Sequence, residues 1–102
     1  MDTYIILRRS GWSEIADVAE ATARSTAEGD RIPDEVCWIR SYVVAEADGR
    51  LGTVCVYEAA GPETLRRHAE AAGMPIDEIV KVVDTVVVTA DPPPGATGVT
   101  RG

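Results

Sequence analysis

The chain has 102 residues, with 17 acidic against 10 basic side chains and a formal net charge of -7. That length holds one small domain with a modest core, and a hydrophobic share of 45% is ordinary for a folded protein. The acidic balance argues against a nucleic-acid groove, which needs a basic stripe, and against an anionic membrane surface. No apolar run is long enough to span a bilayer and no signal-peptide pattern precedes the first expected strand, so a cytoplasmic location is expected.

Thr3-Tyr4-Ile5-Ile6-Leu7-Arg8 reads as the first strand, apolar on both faces. Gly11-Trp12-Ser13 is expected to break it, with Ser13 as an N-cap. From Glu14 to about Glu28, Ile15, Val18, Ala19, Thr22 and Ala23 recur at helical spacing, and Gly29 ends that helix. Ile32-Pro33-Asp34 predicts the loop that follows.

Val36 to Val44 and Val54 to Glu58 alternate β-branched, aromatic and polar residues about Asp48-Gly49, which predicts a β-hairpin because Gly takes the positive φ of a tight turn. Pairing about that turn sets Tyr42 opposite Cys55 and Arg40 opposite Tyr57, with Trp38 on the same face. Ile39, Val43, Val54 and Val56 then form the core face. In this register Cys37 faces the core and Cys55 the other side, so two free thiols are expected rather than a disulfide.

Gly61-Pro62-Glu63 opens a second helix with Pro at its first position, where a missing N–H costs nothing. Leu65, His68, Ala69 and Ala72 make its inner stripe, and Gly73 then Pro75 end it. Ile79 to Val88 reads as the last strand, and Asp91 to Gly102 as a Pro/Gly-rich tail, leaving residues 1–90 as the folded domain.

The order β-α-β-β-α-β is that of a ferredoxin-like α+β fold, a four-stranded antiparallel sheet with both helices on one face. The other sheet face has nothing in the chain to cover it, and Tyr4, Ile6, Trp38, Tyr42, Cys55 and Tyr57 are expected there. An exposed apolar patch of that size marks an interface or pocket. A homodimer whose sheets pack face to face around a cavity is the expected result, with docking of a different protein as the alternative.

Trp38-Ile39-Arg40-Ser41-Tyr42-Val43, Cys55-Val56-Tyr57-Glu58-Ala59 and His68-Ala69-Glu70-Ala71-Ala72-Gly73-Met74-Pro75, in that order, resemble the landmarks of a small bacterial domain family of unknown function that includes nickel-binding ferredoxin-like proteins. The resemblance runs from about Tyr4 to Val88. It implies a dimeric α/β-barrel and, for some members, bound nickel; relatives of that architecture include cofactor-free monooxygenases and isomerases. In this chain the candidate metal donors are His68 and Cys55; the lone His has no second donor four residues away on its helix, where Thr64 and Ala72 stand, so a site would need Cys55, Glu58 or a carboxylate from elsewhere, or a donor from the second subunit.

The residues themselves leave several roles open. Arg40 suits a substrate carboxylate, phenolate or enolate, or a salt bridge across a dimer. Tyr42 and Tyr57 offer phenolic donors and flat walls for an aromatic or polyketide-like ligand, or else interface aromatics. Trp38 and Tyr4 would line the same cavity. His68 is either a packed imidazole or a general acid/base, a role Glu58 could share. Cys55 as nucleophile would need a nearby base. No Rossmann, Walker, zinc-finger or Ser-His-Asp signature occurs. The expected function is therefore a small-ligand- or metal-binding homodimer. The alternatives are a cofactor-independent enzyme, with Arg40 and Tyr42 stabilising an oxyanion, and a passive docking module.

Overall fold

The computed structural model describes residues 1–32 and 34–93. Pro33 in the expected loop and residues 94–102 of the expected tail lie outside the described residues. The elements are β1 (Asp2–Trp12), α1 (Ile15–Gly29), β2 (Val36–Ala45), β3 (Leu51–Ala59), α2 (Pro62–Ala72) and β4 (Glu78–Lys81). They build one sheet of order β2-β3-β1-β4, antiparallel at every pairing. This is the expected ferredoxin-like α+β arrangement. No described helix is long and apolar enough to cross a membrane.

Helix α2 forms as its sequence dictates. Pro62 opens it, Thr64, Leu65, His68, Ala69 and Ala72 are buried, and Gly73 takes φ 68° at the C-cap. That left-handed residue lets Met74 N–H reach Ala69 O at 2.9 Å, satisfying a carbonyl the helix would leave orphaned. Helix α1 departs from expectation. Its buried residues are Val18, Ala21 and Ser25, a stripe rotated from the expected Ile15, Val18, Ala19, Thr22 and Ala23, and Ile15 is exposed. Ser13 does not cap it: the N-cap residue is Glu14, and the Ser13 hydroxyl accepts from Arg50 Nη1 at 3.0 Å.

Strand β1 continues through Gly11 to Trp12 instead of breaking there. It does so over an irregularity between Arg8 and Trp12, with Ser10 at φ 50°. Side-chain carboxylates replace the missing ladder bonds: Asp77 accepts from Arg9 N–H at 2.6 Å and Glu46 from Ser10 N–H at 3.0 Å. A strand that leaves its ladder persists only when its donors are satisfied elsewhere.

The two sheet faces are the reverse of those expected. Tyr4 pairs with Tyr57 and Ile6 with Cys55, and all four are buried in the cluster beneath the helices with Val36, Ala59 and Leu65. A second cluster joins Trp12, Val18, Ala21, Ala72 and Met74. The uncovered face instead receives Ile5, Leu7, Val54 and Val56, which pair with one another across β1 and β3. A slip of one residue exchanges the faces of a strand, and β1 is apolar on both, so its alternation did not decide the matter.

Strand β2 carries a bulge at Ile39: Trp38 pairs with Tyr57, but the next partners are Arg40 and Val56. Trp38 therefore stays on the helix side while Arg40 and Tyr42, opposite Val56 and Val54, move to the open face. Val43, opposite Thr53, returns to the helix side and packs on the second cluster. Cys37 is exposed, Cys55 is buried, and both are free thiols, so their expected faces are exchanged as well.

Strand β4 is shorter than the predicted Ile79 to Val88. It pairs Glu78 through Lys81 with Leu7 through Tyr4, and Val82 N–H adds one bond to Thr3 O at 2.9 Å.

Candidate functional site

Arg8, Thr53, Cys55, Tyr57, Ser25 and His68 form a buried polar layer between the sheet and the helices. Arg8, on β1, follows Tyr4 and Ile6 inward by the two-residue alternation and is only 1% exposed. Its Nη1 donates to Cys55 Sγ at 3.0 Å, and the guanidinium carbon lies 5.9 Å from the centre of the Tyr57 ring. The Cys55 thiol donates to Thr53 Oγ1 at 3.4 Å. Arg8 Nε and Nη2 have no hydrogen-bond partner among the described residues.

Tyr57 extends this layer toward α1 and α2. Its hydroxyl lies 3.4 Å from Ser25 Oγ, which lies 2.9 Å from His68 Nε2. The His68 ring stands edge-on to Tyr57, centroids 5.9 Å apart. Burial pushes the Tyr57 phenol up to about 12, so it stays protonated at neutral pH. Burial, and then the positive charge of Arg8, push the His68 imidazolium down from its ordinary value, with Glu28 opposing more weakly. His68 is thus a neutral imidazole at pH 7. The row Tyr57–Ser25–His68 is a hydrogen-bond relay that can run in either sense, one leaving Nδ1 a donor and the other an acceptor.

That Nδ1 is buried and has no hydrogen-bond partner among the described residues. His68 also lines a groove of about 380 Å³ whose walls include Glu28, Arg31, Glu35, Thr64 and Arg67. Two internal contacts tie down part of this wall: Arg31 Nη1 with Glu28 at 3.3 Å and Arg67 Nη2 with Thr64 Oγ1 at 3.4 Å.

The open sheet face carries a second polar group. Arg40 pairs with Asp91, and Tyr42 OH donates to the same carboxylate at 2.9 Å. The Tyr42 contact, then the Asp91 charge, hold the Arg40 guanidinium above its usual range. Glu58, opposite Cys37 and Thr3, shares this face.

The expected site residues therefore fall into two sets divided by the sheet. Arg40, Tyr42 and Glu58 are on the open face; Tyr4, Trp38, Cys55, Tyr57 and His68 are on the helix side. Tyr4, Trp38, Cys55 and Tyr57 do not line an open-face cavity. Trp38 packs edge-on to Tyr57 at 5.3 Å and donates from Nε1 to Ser41 Oγ at 2.8 Å. His68 cannot move a proton for a substrate held by Arg40 and Tyr42.

Sequence reasoning did not single out Arg8, Ser25 or Asp91. Arg8 was legible in principle as the third member of the alternation Tyr4, Ile6, Arg8, and Ser25 as the continuation of Val18 and Ala21 along α1. Asp91 carried no local signal, because its partners lie about fifty residues away, at 49 and 51 positions.

A ferredoxin-like α+β domain with a buried imidazole relay and an uncovered apolar sheet face defines a fold class that hosts many activities rather than one. Within that class, the pattern of the nickel responsive protein SCO4226-like family matches residues 4–82, and the chain belongs to that family. The crystal structure of SCO4226 from Streptomyces coelicolor A3(2) shares the fold with a TM-score of 0.65 at 22% identity, over 82% of this chain and 99% of the other. No curated protein matches.

Proposed function

We propose that this chain is a homodimeric binding protein that takes a small polar ligand in the groove beside His68. The observation that carries this reading is that His68, whose Nδ1 is buried and has no hydrogen-bond partner among the described residues, lines the groove. A buried polar nitrogen left unpaired costs about 1–3 kcal/mol, and a ligand group that pairs with it recovers that cost as affinity. The relay through Ser25 to Tyr57 fixes the orientation of the ring beside the groove.

Binding is favoured over catalysis because the sheet separates His68 from Arg40, Tyr42 and Glu58. A homodimer is favoured by the open face, where Tyr42 and Val80 are exposed beside Ile5, Leu7, Val54 and Val56. Two free thiols suit a reducing cytoplasm.

The family's name raises nickel, and the residues of one chain do not fit a nickel centre. Among the described residues no three His, Cys, Asp or Glu side chains converge as a metal would need. His68 is the only imidazole, with Nε2 committed to Ser25. Cys55 accepts from a guanidinium, whose positive charge opposes a cation at the same sulfur. A nickel ion at this groove would have His68 Nδ1 as its only imidazole donor from the chain.

The test is an NMR and metal-analysis titration of untagged protein and of His68→Ala, using nickel chloride alone and, separately, a panel of small carboxylates and phenols. The expected result is a saturable shift of the Thr64 and Arg67 amides with a member of the organic panel, absent in His68→Ala. Stoichiometric nickel lost in His68→Ala would replace the small-molecule reading with a metal one. Unmoved groove amides at millimolar concentrations of every probe would refute binding there.

A further inference from the structure

Ten residues, Val82 to Asp91, follow β4. Val83, Val86, Val87 and Val88 among them are 92%, 85%, 77% and 90% exposed. The segment begins at one edge of the sheet, where Val82 bonds Thr3, and ends at the other, where Asp91 meets Arg40 and Tyr42 of β2. It joins the two edges without packing on the apolar face between them, since its valines remain in water. The family match ends at residue 82, so this arm lies beyond the matched part of the chain.

Length decides what such an arm can reach. Three strand spacings come to roughly 14 Å. Ten extended residues span up to about 33 Å. The arm is therefore about twice as long as its own sheet requires, and the excess covers the ~10 Å that separates two sheets packed face to face.

We infer that Val82–Asp91 is an exchanged arm: in the dimer it crosses to a second copy of this chain, lays its valines on that copy's open face, and places Asp91 between that copy's Arg40 and Tyr42. The polar contact keeps its chemistry, carboxylate against guanidinium and phenol, and changes only which chain supplies each half. Exchange gives the exposed valines and the half-covered Ile5, Leu7, Val54 and Val56 to one another, twice over, as a two-fold axis demands. The inference rests on the homodimer reading above, and its test separates the two.

Arg40→Asp and Asp91→Arg each put like charges together, and both side chains are at the surface, 50% and 39% exposed, so both variants keep the fold. Sedimentation equilibrium of each alone is expected to show dimer affinity weakened by about tenfold or more. An equimolar mixture of the two is expected to recover wild-type dimerisation, because in an exchanged heterodimer every Asp meets an Arg across the interface. A mixture no tighter than the single variants, with the double variant restored, would assign the contact to one chain and overturn the exchange. Single variants that dimerise as well as wild type would overturn it too. A wild-type protein that stays monomeric at high concentration would instead remove the dimer itself.

Discussion

His68→Ala is the substitution whose consequences are most closely set by the structure. The change deletes the 2.9 Å contact to Ser25, worth about 1 kcal/mol. It also deletes the edge-on contact with Tyr57, worth about 0.5–1.5 kcal/mol. Ser25 keeps its contact with the Tyr57 hydroxyl, so its own oxygen is not orphaned. The cavity left by a buried ring adds to this, and removal of the unpaired Nδ1 offsets part of it, for a net loss of about 1–3 kcal/mol, or roughly 5–15 °C in Tm for a domain of about 100 residues.

The pH dependence of that loss is the sharper reading. Because burial and Arg8 lower the folded-state pKa of His68, the unfolded chain takes up a proton at a higher pH than the folded one does. The contribution of neutral His68 is whole above its unfolded value near 6.5 and is lost as pH falls from there toward the folded value, with a slope of at most about 1.4 kcal/mol per pH unit. The chain has one His, so between about pH 6.5 and 5, above the carboxylate range, no other side chain obscures the trend. Urea unfolding followed by Trp fluorescence at pH 7.5, 6.5 and 5.5, at one fixed protein concentration, measures it. Wild type is expected to weaken across this series and His68→Ala to stay flat. A variant that keeps the wild-type slope, or loses less than about 1 kcal/mol at pH 7.5, refutes the buried neutral imidazole.

Gly52→Ala is expected to destabilise the protein by about 1–3 kcal/mol, because the new Cβ would lie 2.6 Å from the backbone oxygen of Arg8 and 3.1 Å from Glu46 Oε2; a thermal melt within about 1 °C of wild type would contradict that close approach. In native buffer a thiol-specific reagent should modify Cys37 and leave Cys55 until urea unfolds the chain. Mass spectrometry showing both thiols labelled at one rate before unfolding would contradict the burial of Cys55.

The residues of α2 announced both its ends and its inner face: Pro62 and Gly73 bracket it, and the stripe that places His68 inward repeats at helical spacing in a segment otherwise rich in charge. The hairpin turn was equally legible, with Gly49 at φ 83° after Asp48. β1 was legible only as a strand. Tyr4, Ile5, Ile6 and Leu7 are all large and apolar, so either face could have turned inward. Packing resolved the choice, because beneath the helices the Tyr57 hydroxyl finds Ser25 and the row Tyr4, Ile6, Cys55, Tyr57 closes into one cluster. The bulge at Ile39 left no mark in the residue pattern, yet it alone divides Trp38 from Arg40 and Tyr42.

Element order, the class of fold and the interior position of His68 were written into the chain itself, because turn chemistry and helical spacing act over a few residues. The partition of site residues between two faces, the meeting of Ser25 with His68 across 43 positions and of Asp91 with Tyr42 across 49, and the early end of β4 belonged to the tertiary structure. Those features depend on register and on partners distant in the chain, and a strand stretch that is apolar at every position carries no local term that prefers one register over the next.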